Sequence, residues 1–188
     1  MQRIKKGVNK LSLSKEKAQQ IYLEHSTYIY RVALLITKSA ANAEDIVQDA
    51  FIQFFQKYDT FDESKPIKPW IYKIALNTAR KLLRKQRRLT LWRIPLEQQA
   101  ISLENIVLAN EGKFELWEKI NKLGLKYREM IVLHYYMSFK LPEISEILGI
   151  PLGTCKSRLH HALKKLRILL PEEQQFQYPL EEIGGRRV

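Results

Sequence analysis

Residues 141–167 read LPEISEILGIPLGTCKSRLHHALKKLR. Thr154, Lys156, Ser157, Arg158, His160 and His161 crowd the first turns of what reads as a helix, and each carries a hydrogen-bond donor or acceptor. Such side chains on the exposed start of a helix suit contacts to base edges and phosphates in the DNA major groove. The residues between them set the frame. Ile144 and Leu148 fall four apart, Gly149 stands where a helix ends in the left-handed conformation, and Ile150 fills the corner. Leu152–Arg167 then repeats Cys155, Leu159, Ala162, Leu163 and Leu166 at three- and four-residue spacing. This is the pattern of a helix-turn-helix. A helical hairpin with a merely basic surface is the competing reading, and the motif alone does not say which kind of DNA-binding protein carries it.

The charge distribution favours a polyanionic partner. The 188-residue chain holds 32 Lys and Arg against 20 Asp and Glu, a formal net charge of +12. Between Lys65 and Arg93 stand ten Lys or Arg and no acid, most of them within Arg80–Arg88. Ile147–Pro171 is likewise free of acids and contains Lys156, Arg158, Lys164, Lys165 and Arg167. Acids gather elsewhere, at Glu44, Asp45, Asp49, Asp59, Asp62 and Glu63. A single mixed run would read as a solvated face; two long single-sign stretches are the footprint of phosphate binding.

Several classes are disfavoured. No run approaches the roughly 18 apolar residues of a membrane span. The start, MQRIKKGVNKLSLSKEK, has no apolar stretch after its charges, so a secretory signal is not expected. Cys155 is the one cysteine, which fits a cytoplasmic chain and a small core residue better than a redox sensor. His160 and His161 point about 100° apart on a helix and have no second ligand cluster, so no metal is expected. No phosphate-cradling glycine loop, HExxH or nucleophile elbow occurs, and neither an enzyme activity nor a cofactor is expected.

The elements that must hold these residues are helices throughout. The fold class expected is all-α: two small helical domains joined by a linker, the C-terminal one containing the helix-turn-helix. A first helix spans about Lys17–Lys38, with Ile21, Tyr22, Ile29, Val32, Ala33 and Ile36 on one face. A second starts with Asn42 as N-cap and carries Val47, Ala50, Phe51, Phe54, Phe55 and Tyr58. A third opens with Pro69 at its first position, carries Trp70, Ile71, Ile74, Ala75, Thr78 and Leu82, and ends near Arg88. These stripes would pack as one bundle. Four further helices are expected at Phe114–Leu123, Tyr127–Met137, Pro142–Leu148 and Leu152–Leu169. The divisions are 1–16 as an N-terminal extension, 17–88, a linker over 89–111, 112–170, and a tail over 171–188.

Two segments together resemble the extracytoplasmic-function (ECF) family of RNA polymerase sigma factors. AEDIVQDAFIQFFQKYDTF, followed by WIYKIALNTARKLLRKQRR, resembles the family's second conserved region; LPEISEILGIPLGTCKSRLHHALKKLR resembles its fourth. The resemblance covers roughly residues 17–169. It implies a factor that binds core RNA polymerase through the β′ clamp and the β flap, reads the −10 and −35 promoter elements and promotes initiation. On this resemblance Asp45, Gln48 and Asp49 meet the clamp. Asn77 contacts an unpaired −10 base, and Phe61 and the loop to Lys68 pocket a flipped base. With them come Lys65, Lys68, Arg80, Lys81, Arg84 and Arg88 as −10 contacts, and Thr154, Lys156, Ser157, Arg158, His160 and His161 as −35 contacts. An anti-sigma factor, holding a cytoplasmic protein at the membrane, is a further implied partner.

Pro66 and Pro69 depart from the family pattern by stiffening the base-pocketing loop, and Ser145 and Cys155 stand where alanine and valine are expected. The rival is a helix-turn-helix regulator that acts without replacing the sigma subunit. It would need the C-terminal motif but not the acidic second helix or the Asn77 helix, so residues 42–88 discriminate.

Overall fold

The computed structural model describes residues 13–91 and 112–170. Most of the expected linker, the N-terminal extension up to residue 12 and the tail from 171 lie outside the described residues. Helix α1 runs Lys15–Thr37, α2 Ala40–Lys57, α3 Ile67–Leu91, α4 Gly112–Lys122, α5 Leu125–Ile131, α6 Leu141–Leu148 and α7 Leu152–Leu169. No strand occurs among the described residues.

Local chemistry sets the helix ends, and in places shifts them from the sequence expectation. Ser14 caps α1 by accepting from the Lys17 amide at 3.2 Å, so the helix starts two residues early. It ends on Lys38 in the left-handed conformation, φ 60°, whose amide bonds the Leu34 carbonyl. Asn42 is not the cap of α2. Ser39 is, accepting from the Asn42 amide, while the Asn42 side chain accepts from Gln86 on α3. Pro69 is the third residue of α3 rather than the first. It is tolerated there because first-turn amides have no partner inside the helix. Nothing in the sequence breaks α3 at Arg88, and it continues to Leu91.

The helix expected over Tyr127–Met137 is interrupted. After Ile131 the chain widens into a π turn over Val132–Tyr136, in which the Met137 amide reaches the Val132 carbonyl. Ser138 takes φ 58°, the Phe139 amide bonds the Leu133 carbonyl, and Phe139 turns into the core. Insertions of this kind recur at functional sites in helices.

In the N-terminal half α1, α2 and α3 pack on one another. Their contact is filled by Ile29, Ile36, Ile46, Phe54 and Ile71, all within 1% of complete burial. Phe54 is the hub of an aromatic cluster with Phe51, Phe55, Tyr58 and Trp70. Phe55 and Tyr22, expected on the buried faces, are partly exposed and pack against Phe51 from outside. In the C-terminal half α5, α6 and α7 enclose Met130, Leu133, Ile144, Ile147 and Cys155.

Gly149 ends α6 at φ 64°, and a Cβ added there would meet nothing within 4 Å. Gly149→Ala therefore incurs backbone strain without a clash. Thermal denaturation should report a loss of about 1 kcal/mol. A loss several times larger would show that the turn does more than reverse the chain.

Candidate nucleic-acid interface

Helix α7 has the phase its apolar spacing demands. Cys155, Leu159, Ala162, Leu163 and Leu166 are buried, while Lys156, Ser157, His160 and His161 are exposed. Thr154 and Arg158 are half-buried at the edges of the polar face. The Ser157 hydroxyl donates to the Thr154 carbonyl at 3.1 Å, leaving its lone pairs to accept from a base. Ser145 donates to the Ile150 carbonyl at 2.6 Å and locks the turn that aims α7. Burial raises the Cys155 pKa, which keeps the thiol neutral. Lys165 lies over the ring of Tyr127, so that lysine braces α7 on α5.

Helix α3 is covered on two sides, by α1 and α2 and by α6. Ile71, Tyr72, Ile74, Ala75, Leu76, Thr78 and Ala79 are all buried. Among the exposed residues are Lys73, Asn77, Lys81, Arg84, Lys85 and Arg88, a stripe at helical spacing, and Arg87 and Leu89 are exposed beside its far end. Asn77 is the one carboxamide in an otherwise cationic row. Lys73 and Lys85 were missed by sequence reasoning, although their spacing of four and eight from Asn77 puts them on its face.

The loop before α3 is tied down from within. Asp62 accepts from the Ser64 amide and hydroxyl, and these bonds hold its pKa below the ordinary value. Glu63 accepts from Tyr58 Oη at 2.9 Å and Lys17 Nζ at 3.1 Å, which lowers its pKa as well. Phe61 stacks on Trp70 with ring centroids 4.6 Å apart and planes 14° from parallel. Lys65 and Lys68 are exposed, with Lys65 Nζ 4.0 Å from Asp62 Oδ2.

On α2, Asp45, Gln48 and Asp49 are exposed together, and none has a side-chain bond among the described residues. Ile52, 54% exposed, and Phe55, 37% exposed, extend the same face by one and two turns. Sequence reasoning missed Ile52 and assigned Phe55 to the core. An apolar residue three or four positions from an acid cluster was the available signal.

The two halves touch. Arg80, expected to be free for DNA, gives Nε and Nη2 to the Glu129 carboxylate at 2.6 and 2.7 Å. Glu129 is 2% exposed, and this pairing raises the pKa of Arg80. Arg128 donates to the carbonyls of Ile36, Asn121 and Leu123, joining the end of α1 to the α4–α5 turn. Lys38 Nζ adds a bond to the Asn121 carbonyl. Tyr72 lies edge-on to Phe139, and Lys68 Nζ stands 4.9 Å from the same ring. Among the described residues the Tyr72 hydroxyl and Arg128 Nε are buried without a partner. A buried polar group left so costs about 1–3 kcal/mol, which weakens the contact between the halves.

An N-terminal bundle with a cationic stripe, followed by a helix-turn-helix with a polar reading face, describes a two-part promoter-binding protein. Residues 21–89 match the family model for sigma-70 region 2, and residues 113–166 match that for sigma-70 region 4. These define the class, a sigma-type transcription initiation factor. The chain is 33% identical over 156 residues to the RNA polymerase sigma factor SigV of Bacillus subtilis, covering 80% of this chain and 89% of that one. It is 34% identical over 152 residues to the ECF RNA polymerase sigma factor SigW of the same organism, covering 74% and 81%. Among solved structures it resembles the sigma factor RpoE in complex with the anti-sigma factor NepR from Bartonella quintana. The TM-score is 0.70 at 25% identity, over 80% of this chain and 94% of that one. The chain belongs to the ECF family of RNA polymerase sigma factors. It binds core RNA polymerase and promoter DNA, recognises the −10 and −35 elements and promotes transcription initiation.

Proposed function

We propose a division of labour among the faces described above, with residues 17–88 and 112–170 as the two working units. Asp45, Gln48 and Asp49, flanked by Ile52 and Phe55, dock on the β′ clamp. Phe61 and the loop to Lys68 receive a flipped base, Asn77 bonds an unpaired −10 base, and Lys81, Arg84 and Arg88 hold phosphates. The α7 face, Thr154 to His161, reads the −35 element, while the rest of the C-terminal half meets the β flap. The protein works by binding alone, with no cofactor. Among the described residues no helix is long and apolar enough to cross a membrane. We extend to this chain the kind of partner named for its structural neighbours, an anti-sigma factor, acting on a cytoplasmic protein and holding it near the membrane.

The observation that carries this reading is the α3 stripe. One carboxamide among cations is the arrangement needed to bond one base while the backbone is held on either side. Asn77→Ala in the holoenzyme is expected to lower permanganate reactivity of the −10 region more than it lowers duplex binding. Charge reversal at Arg84 and Arg88 is expected to weaken all promoters alike. It should also reduce the slope of log affinity against log salt by about 0.9 for each phosphate no longer neutralised. Equal loss of binding and opening in Asn77→Ala would reduce that residue to a structural role.

A further inference from the structure

The loop that leads into α3 is held to the first turn of α1 through one carboxylate oxygen. Glu63 Oε1 accepts from Tyr58 Oη at 2.9 Å and from Lys17 Nζ at 3.1 Å. We propose that Tyr58, Glu63 and Lys17 are positioning residues. They hold the loop from Phe61 to Lys68 in a base-receiving shape before DNA arrives, and so set the selectivity for the flipped −10 base without touching it. The proposal rests on the reading of that loop as the −10 base pocket, and the experiment separates the two.

Three observations support this role. The Tyr58 ring is 4% exposed and packs against Phe54 and Phe61, so its hydroxyl is a fixed donor at the edge of the core. Lys17 is the third residue of α1, with Ser14 as the cap. A carboxylate is the favoured residue there, because it would close a capping box and suit the positive end of the helix dipole. Lysine gives up both and gains a reach to the loop, 46 positions on. The Lys17 and Glu63 side chains are 47% and 41% exposed, and an ion pair so open adds little to folding. What it can do is choose among loop shapes. The rest of the loop is turned by its own bonds. Asp62 takes the Ser64 amide and hydroxyl, the Lys65 amide bonds the Asp62 carbonyl, and the Phe61 amide bonds the Tyr58 carbonyl. All of these close within residues 58–65 and leave open where the turn stands on the bundle. The stack of Phe61 on Trp70 ties one end to α3, and the Glu63 bonds tie the middle to α1 and to the core. Selectivity for one base needs the receiving groups fixed beforehand. A loop that the base itself must order spends affinity on the ordering and adapts to other bases.

Four variants of the full chain test it: Tyr58→Phe, which keeps the buried ring; Lys17→Ala; Lys17→Arg, which keeps charge and donors; and Phe61→Ala, which probes the pocket itself. Holoenzyme transcription from promoters randomised across the −10 element reads base preference. Hydrogen exchange of the loop amides in the free factor reads loop order. Tyr58→Phe and Lys17→Ala should each lower discrimination at one −10 position by about fivefold, the upper end for an exposed pair. Exchange at Ser64 and Lys65 should quicken in both with little change in thermal midpoint, while Lys17→Arg keeps the parent's preference. Loss of fold in one variant, seen as lost helical circular dichroism, leaves the other to decide. Unchanged preference in both Tyr58→Phe and Lys17→Ala, beside a shift in Phe61→Ala, overturns the positioning role and leaves the pocket standing. Unchanged preference in all of them, Phe61→Ala included, removes the pocket and the positioning role together. Faster exchange with preference unchanged also overturns the proposal, because the bonds then order the loop without deciding the base. A loss in Lys17→Ala that is uniform across promoters would make Lys17 a phosphate contact instead.

Discussion

A chain with Asp45, Gln48 and Asp49 all changed to alanine is expected to lose co-purification with core RNA polymerase while keeping its helical circular dichroism. These three side chains are exposed and make no side-chain bond among the described residues, so nothing in the fold depends on them. Alanine favours helix at each position, and surface changes of this kind stay within about 0.5 kcal/mol of stability. Their position is nevertheless distinctive, a patch of acceptors with Ile52 and Phe55 at its edge. Charged rims around an apolar centre are how interfaces are built. If one of the three is a hot spot at about 2 kcal/mol or more, affinity falls about thirtyfold; losing all three removes detectable complex from a pull-down. Ile52→Ala belongs in the same assay, where a partial loss is expected. Normal co-purification by the folded triple variant would refute the clamp assignment.

The other large effect concerns base preference at the −35 element. Lys156 and Ser157 lie one turn into α7, on the side opposite Cys155, Leu159 and Leu163. In a docked recognition helix that is the depth of base edges. A good base contact discriminates by about 1–3 kcal/mol, roughly ten- to a hundredfold. Lys156→Ala or Ser157→Ala should therefore change the preferred base at one or two positions, read by in vitro transcription from promoters randomised across the element. Lys164, two turns farther on, is expected to touch backbone only, and Lys164→Ala should lower transcription from every promoter alike. A shift of base preference in Lys164→Ala, with none in the other two, would mean that the face of α7 is misassigned.

What was legible in the sequence was local. The inward row Cys155, Leu159, Ala162, Leu163 and Leu166 follows from a period of 3.6, and Gly149 from the cost of a left-handed φ to other residues. The all-helical class and the helix-turn-helix came from the same two rules. Helix ends slipped by a few residues, at α2 because two capping residues competed, Ser39 and Asn42. The π turn was not legible, because Tyr127–Met137 keeps a helical apolar period through the place where it widens. The contact between halves was hidden for a different reason. Arg80 is one basic residue in a run of them, and Glu129 sits 49 positions away in a stretch that reads as an ordinary amphipathic surface. Ion pairing across such a separation leaves no periodic trace. Nor did pattern reasoning reveal that α3 is covered on two sides, which is what withdraws Arg80 from its exposed basic run.

Arg128 constrains how this chain can drift. Its guanidinium recognises three main-chain carbonyls and no side chain. Any residue at position 121 supplies the same carbonyl, and so does any residue at 36 or 123 that packing allows. The joint between α1 and the α4–α5 turn is thus nearly blind to the sequence it grips. Position 128 has no such latitude. A lysine there carries one ammonium where a planar fork now spans carbonyls of two separate segments. The neighbourhood can wander while the arginine stays, and the seam between the halves is handed down as a shape and not as a set of matched side chains.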